Sequence, residues 1–325
     1  MFFGVVKKNT LAPFALLPLL MLLFWGKTLF APSIDYICPD APMPLCELAY
    51  NLFGGNKVLC SIMILFLLFL SIFGLNRINT KYQLLKRQSI LPGLMFLIFV
   101  SGYTVVQQML DVWFFIPFVV FAVDRMLGAV AKRETSVDVF NTIFLVSTGS
   151  LFFGKGIYFI PLFIWVMAVL NIISFRNILA SILGLLLPYL LAFGVYFFND
   201  RESIFFRNLH ENIVSPVAYF DHTIYTKIYN GLMIFFIFIG ILVMIRMLNT
   251  LKIITRKYLR VFIWIVIYGI ILAATPFYSM EIVPVIGIGA SMIIANYLES
   301  LRSKFWQEVI FTCFMAVTLA LQWLA

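Results

Sequence analysis

The sequence predicts an all-α fold, a polytopic transmembrane helical bundle of about eleven spans with a cytoplasmic N-terminus. Three observations predict it. Of 325 residues, 63% are hydrophobic and only 11% charged, where soluble domains average about 45–50% and about 25%. Apolar runs recur along the chain at close to the roughly 20 residues that cross a bilayer core of about 30 Å. The basic residues then segregate to one side of the resulting map, as cytoplasmic loops of membrane proteins do. A soluble fold could not cover this much apolar side chain with so little polar surface.

In chain order, the runs lie at 11–29, 58–75, 90–106, 112–130, 139–153, 156–174, 178–198, 229–247, 261–277, 282–298 and 306–324. The first follows Lys7 and Lys8, which could open a signal peptide. No A-x-A cleavage site follows, and Trp25 and Lys27 are poor cleavage context, so an uncleaved first span is expected. The third, fifth, ninth and tenth runs are short, and one hairpin among them could be re-entrant. Pro92, Pro117, Pro161, Pro188, Pro276 and Pro284 can kink spans. Gly287, Ala290 and Ser291 offer a small-residue face for close helix packing. No soluble domain, repeat or low-complexity tract interrupts the series. Residues 1–325 therefore read as a single transmembrane domain, with long external loops at 30–57 and 199–228.

This map accounts for the formal net charge of +9. Of the 23 Lys and Arg residues, 17 fall on the cytoplasmic side, concentrated in the 76–88, 125–133 and 246–260 segments. The outward side holds Lys27, Lys57, Lys155, Arg201, Arg207 and Lys227, while most acidic residues, Asp111 and Glu281 included, lie there. The basic excess is an orientation signal, which removes the reason to expect nucleic acid. Membrane lipids are the expected partners, with anionic headgroups near the two longest basic segments.

The external loops carry turn and amphipathic signals. Ala31-Pro32-Ser33 and the run from Cys38-Pro39 to Pro44 are turn chemistry. Leu45, Leu48, Ala49 and Leu52 then recur at helical spacing, predicting a short interfacial helix ended by Gly54-Gly55. In the second loop Phe205, Phe206, Leu209 and Ile213 form an apolar face, and Arg207 and Glu211 stand i,i+4 apart. Arg201, Arg207 and His210 could grip a lipid phosphate there, or simply be solvated.

Cys60 and Cys313 fall in spans and read as apolar packing residues. Cys38 and Cys46 share the first external loop and can form a disulfide if that side is oxidising. There is no C-x-x-C, and the only histidines, His210 and His222, share one loop, so no metal site is expected. The span interiors lack the mid-membrane ionisable groups typical of ion-coupled carriers. Asp124, Asp138, Glu281 and Glu308 lie near span ends, leaving Asn141, Thr142, Ser147, Thr148 and Asn171 as polar groups for helix–helix hydrogen bonds.

The stretches Phe140-Asn141-Thr142 to Ser150-Leu151-Phe152-Phe153, Phe159-Ile160-Pro161-Leu162-Phe163-Ile164-Trp165 and Leu183-Gly184-Leu185-Leu186-Leu187-Pro188-Tyr189 resemble an uncharacterised polytopic inner-membrane family of Bacteroidota. That resemblance implies a setting in the inner (cytoplasmic) membrane of the cell envelope. The layout also resembles multi-pass glycosyltransferases of the GT-C type, which have a cytoplasmic N-terminus and long external loops after the first and seventh spans. Those enzymes place an acid in the first loop and often another after the third span. The layout resemblance implies Asp35 or Asp40 in the first role and Asp111 in the second, acting as general base on an acceptor while cations hold the departing lipid phosphate. The adjacent acidic pair common in that class is absent here, since Asp35 and Asp40 stand five apart. The function expected is thus a glycosyltransferase or glycan polymerase using a polyprenyl-phosphate-linked sugar. The alternatives are a non-enzymatic subunit of an envelope complex and a lipid or small-molecule transporter.

Overall fold

A computed structural model describes residues 11–30, 41–54, 56–86, 89–214 and 223–324. Among them the regular structure is helical, with no strand. The helices are α1 (Leu11–Phe30), α2 (Pro44–Phe53), α3 (Lys57–Tyr82), α4 (Leu91–Ser101), α5 (Leu110–Ala129), α6 (Ser136–Ser150), α7 (Ile160–Leu170), α8 (Phe175–Phe198), α9 (Glu202–Val214), α10 (Ile224–Leu248), α11 (Ile253–Ala273), α12 (Val283–Ser300) and α13 (Lys304–Leu324). Short 3-10 turns at Val105–Gln108, Gly154–Phe159 and Met280–Ile282 lead into α5, α7 and α12.

Every apolar run of the sequence contains a helix, and six helical segments are long and apolar enough to cross a membrane unaided. They are Lys57–Tyr82, Leu110–Ala129, Phe175–Phe198, Ile224–Leu248, Met280–Ser300 and Lys304–Gln322. The proteins' usual boundary signals explain several of the others. Pro92, Pro161 and Pro284 sit in the first turns of α4, α7 and α12, where a missing N–H costs nothing. Only Pro117 and Pro188 of the six flagged prolines lie inside helices.

The shortest helices are the most instructive. At 11 residues α4 extends only about 16 Å, yet all of it is buried. Residues 83–86 and 89–90 lie between α3 and α4 without regular helix. Asn79 of α3 satisfies part of that backbone: its side chain accepts from Leu85 N (3.1 Å) and donates to Ser89 O (3.0 Å). Asn76, one turn earlier, accepts from Gly93 N (2.9 Å). Buried irregular backbone survives only where such groups satisfy it.

The core sits around α4, α5 and α12, against which α3, α6, α10 and α11 pack. On α1 the buried set is Leu17, Leu20, Met21, Phe24 and Trp25, a stripe at helical spacing. Trp25 donates to Ser101 Oγ (2.8 Å) and meets Trp113 edge-on. On α8 the usual pattern inverts. Its buried residues are Asn177, Ser181, Gly184 and Pro188, while leucines such as Leu183, Leu190 and Leu191 face out. That is the pattern of a helix solvated by lipid, where small and polar residues make the protein contacts. Gly184 is required there, since a Cβ would lie 2.8 Å from the Phe140 carbonyl oxygen. Ser147 donates across to Leu185 O (2.8 Å), an interhelical bond of the expected kind, but Thr148 bonds back within its own helix, to Phe144 O. Asn171 serves instead as the left-handed C-terminal cap of α7.

Polar contacts gather at two ends of the bundle. At one end Lys81 pairs with Asp124 (2.8 Å), Lys132 with Asp138 (2.7 Å), and the Lys86 amide donates to Glu299. Asn177 ties α8 to the α5–α6 connection there, donating to Thr135 Oγ1 and accepting from Ser136. At the other end stand Asp111, Lys155 and Glu281. Cys60 is buried as expected for a packing residue, whereas Cys313 lies on an exposed face of α13.

Candidate functional site

The site grows from an outer layer of two short helices. In α2 the buried residues are Cys46 and Ala49, and Leu48 and Leu52 are exposed. Leu48 and Leu52 of its apolar stripe therefore face outward, Leu45 packs partly buried beside Cys46, and the small residues face the protein. In α9 Phe205 is buried, Phe206 is exposed, and the other buried residue is polar, Asn208. Asn208 donates to Pro42 O (2.9 Å), and Asn212, one turn on, donates to Ala41 O (2.5 Å). The two amides clamp the segment before α2. Leu45 N donates to Leu151 O, Tyr196 OH to Glu47 (2.7 Å), and Tyr158 OH to Ile213 O. The layer is thus fastened to α6, α8 and the Gly154–Phe159 turn. Gly154 permits the closest approach, because a Cβ there would fall 2.6 Å from Asn212 Cβ.

Beneath this layer lies a cavity of about 140 Å³ lined by Met43, Cys46, Asp111, Phe152, Phe153, Gly154, Lys155, Asn212 and Glu281. These residues come from five separate connections on one end of the bundle. Asp111 occupies the first turn of α5, where the helix N-terminus favours a carboxylate. Lys155 and Glu281 form an ion pair at 3.4 Å, with side chains only 12% and 18% exposed. Asp111 acts electrostatically on both of them. Tyr278 donates to the Lys155 carbonyl (2.5 Å) and holds that turn. Burial and the Glu281 charge push the Tyr278 phenol up, so it remains a donor. Phe152 stacks on Phe114 at 4.7 Å, giving the cavity a rigid aromatic wall.

The arrangement holds two carboxylates and one ammonium, shielded from bulk water. It can accept a proton from a bound hydroxyl and stabilise developing negative charge. Among the described residues no group of three or more His, Cys, Asp and Glu is placed to hold a metal ion. Of the residues expected from sequence, Asp111 lines the cavity and Cys46 beside it. Arg207 is exposed and stands 4.0 Å from Glu211, and Arg201 and His210 are exposed on the same layer, outside the cavity lining. Asp35, Asp40, Cys38 and His222 lie outside the described residues. Lys155, Glu281, Asn208 and Asn212 belong to the candidate site or the layer over it and were missed by motif reasoning. Lys155 and Glu281 were visible only as scarce charges on the outward side, and the i,i+4 asparagines carried no signal.

No family model, curated protein or solved structure matches the chain.

Proposed function

We propose that this is an integral protein of the bacterial inner membrane, crossing it eleven times from a cytoplasmic N-terminus. Its outward face carries a GT-C-like transferase site for a polyprenyl-phosphate-linked sugar. The observation that carries the reading is the convergence of the outward connections on the cavity of Asp111, Lys155 and Glu281. The first external loop supplies Met43 and Cys46, and Asp35 or Asp40 lies a few residues upstream of them in sequence.

The chemistry follows from the groups present. A carboxylate, Asp111 or an acid of the first loop, takes the proton of an acceptor hydroxyl as its oxygen bonds to the anomeric carbon. The bond from that carbon to the phosphate oxygen breaks, and polyprenyl phosphate leaves as an anion that Lys155 neutralises. The cavity is smaller than the roughly 300–1,000 Å³ of ordinary ligand sites. Substrate entry therefore requires the α2–α9 layer to lift. Transport fits less well, because the bundle centre is filled by apolar side chains such as Phe96, Trp113, Phe115 and Phe262. The second reading is a non-enzymatic subunit of an envelope complex, favoured by the long apolar flank that α8 leaves uncovered.

The test is made in cells. Asp111→Asn, Lys155→Met and Glu281→Gln, with Asp35→Asn and Asp40→Asn beside them, are compared by envelope glycan profile. Loss of a glycan in the cavity variants at normal protein level is the expected result. An unchanged profile in every variant ends the enzyme reading, and stable co-purifying partners in mild detergent would then favour the subunit.

A further inference from the structure

Two of the basic residues between 246 and 260 have a local structural task. Arg246 stands in the last turn of α10, where a cation suits the helix dipole. Lys257 donates to Leu170 O (3.0 Å), the carbonyl of the last residue of α7. Lys252, Arg256 and Arg260 remain without one. They are four residues apart, so they share one face and form a row along the start of α11, about 12 Å long at 1.5 Å per residue.

That row is unfavourable by itself. Like charges at i,i+4 repel each other. The row also begins at a helix N-terminus, where the dipole favours an anion. The first turn of α11 contains no acid, and Lys252 gives it no side-chain cap. Tyr258 meets Tyr82 edge-on at 5.0 Å, which sets the row beside the last turn of α3, at the end of the bundle that holds Lys81 and Asp124. Asp124 and Asp138 are held there by Lys81 and Lys132, and among the described residues none of the three cations is paired with a carboxylate. Lys252 and Arg260 are exposed, whereas Arg256 is half-buried and its Nε is enclosed with no acceptor among the described residues. A buried donor without an acceptor is costly. An orientation signal asks for cations on this side in any arrangement, so it does not explain a row.

The row has an apolar border. Ile253 and Ile254, next to Lys252, are 72% and 52% exposed. Beyond Arg260 the chain has no charged residue from Val261 to Met280, close to the roughly 20 residues that cross a bilayer core. Cations and exposed hydrocarbon thus meet where a charge-free stretch begins.

We infer that Lys252, Arg256 and Arg260 hold the phosphate of an anionic membrane lipid, with the lipid's hydrocarbon against Ile253 and Ile254. The phosphate offsets the repulsion within the row and supplies the anion that the α11 N-terminus favours. Its oxygens suit the planar fork of the Arg256 guanidinium, which binds two of them at once. A soluble anion would match the cations but not the isoleucines. The inference does not rest on the transferase reading, whose residues stand at the other end of the bundle.

Purified full-length protein in a neutral detergent is titrated with phosphatidylglycerol and, separately, with phosphatidylcholine, with bound lipid read by native mass spectrometry. Saturable binding of phosphatidylglycerol in preference to phosphatidylcholine is expected. Lys252→Gln and Arg260→Gln change exposed side chains outside the core, and should each weaken that binding by about fivefold and together by about twenty-fivefold. Arg246→Gln removes the same charge from the same segment but not from the row, and should leave binding within about twofold. Equal binding of the two lipids, or unaltered binding by the double variant, overturns the assignment. A loss in Arg246→Gln as large as that in Lys252→Gln also overturns it, because a diffuse positive field and not a site would then be at work. Inorganic phosphate is the last arm. If it displaces phosphatidylglycerol at equal concentration, the row takes a free anion and the lipid assignment fails.

Discussion

The Lys155–Glu281 pair is the interaction whose removal says most about the site. The nitrogen and oxygen are 3.4 Å apart and both side chains are less than a fifth exposed. At an effective dielectric of about 20, Coulomb's law gives an attraction of about 5 kcal/mol at this separation. Desolvation of the two ions offsets much of it. Lys155→Met removes the one cation that lines the cavity among the described residues and leaves Glu281 and Asp111 facing each other. Breaking one side of a buried pair costs about 3–5 kcal/mol, because the partner stays buried and uncompensated. At about 2–4 °C per kcal/mol for a large domain, a fall in apparent melting temperature of about 6–20 °C is expected. Glu281→Gln leaves Lys155 opposite Asp111 and should cost less. The double variant Lys155→Met/Glu281→Gln should recover about 1–3 kcal/mol relative to the summed single effects. The assay is tryptophan-fluorescence melting of the four proteins in one detergent at one scan rate. Lys155→Met melting within 1 °C of wild type, or strictly additive effects, would refute a coupled, desolvated pair.

Four further outcomes are expected. Asn79→Leu strips partners from the Leu85 amide and the Ser89 carbonyl; at about 1–3 kcal/mol per orphaned buried group it should be among the most destabilising single changes, measured by the same melting assay, and a wild-type melt would show that these two backbone groups do not depend on it. Asn212→Leu releases one of the two amides clamping the segment before α2, so hydrogen exchange across 43–53 should accelerate at least tenfold while α4 and α12 stay protected. Reporter fusions after Arg87 and after Arg256 should both report cytoplasm, and an outward signal from either breaks the topology. If the outward face is oxidising, Cys38 and Cys46 are bridged, which intact-mass measurement with and without reductant detects as two hydrogens; in the loop-entropy treatment such a bridge stabilises by about 2–3 kcal/mol.

Particular residues mark how far the sequence could be read. Apolar runs of span length are a local property, so each one contained a helix. Pro92, Pro161 and Pro284, read from sequence as possible kinks, mark helix starts instead, where the N–H that proline lacks is not needed. The amphipathic helices α2 and α9 were legible as helices, and Leu48 and Leu52 of α2 face outward as the expected interfacial helix requires, whereas Ala49 of the same stripe is buried. Next to a membrane the exposed face is the greasy one, and Cys46 and Ala49 turn inward. The same reversal put Asn177, Ser181 and Gly184 on the buried side of α8. The contacts that join α3 to the start of α4 were invisible because they depend on Asn76 and Asn79 meeting backbone 6 to 17 residues away.

Composition and charge placement by themselves determined that this chain is helical and apolar enough to cross a membrane, and they directed the search for chemistry to the scarce polar residues away from its basic segments. Those are sums over single residues and need no knowledge of contacts. Only the tertiary structure decided which of these residues meet. Asp111, Lys155 and Glu281 are separated by 44 and 126 positions and share no motif. They are brought together because α5, the α6–α7 turn and the start of α12 pack around one core, and a cavity is a property of that packing.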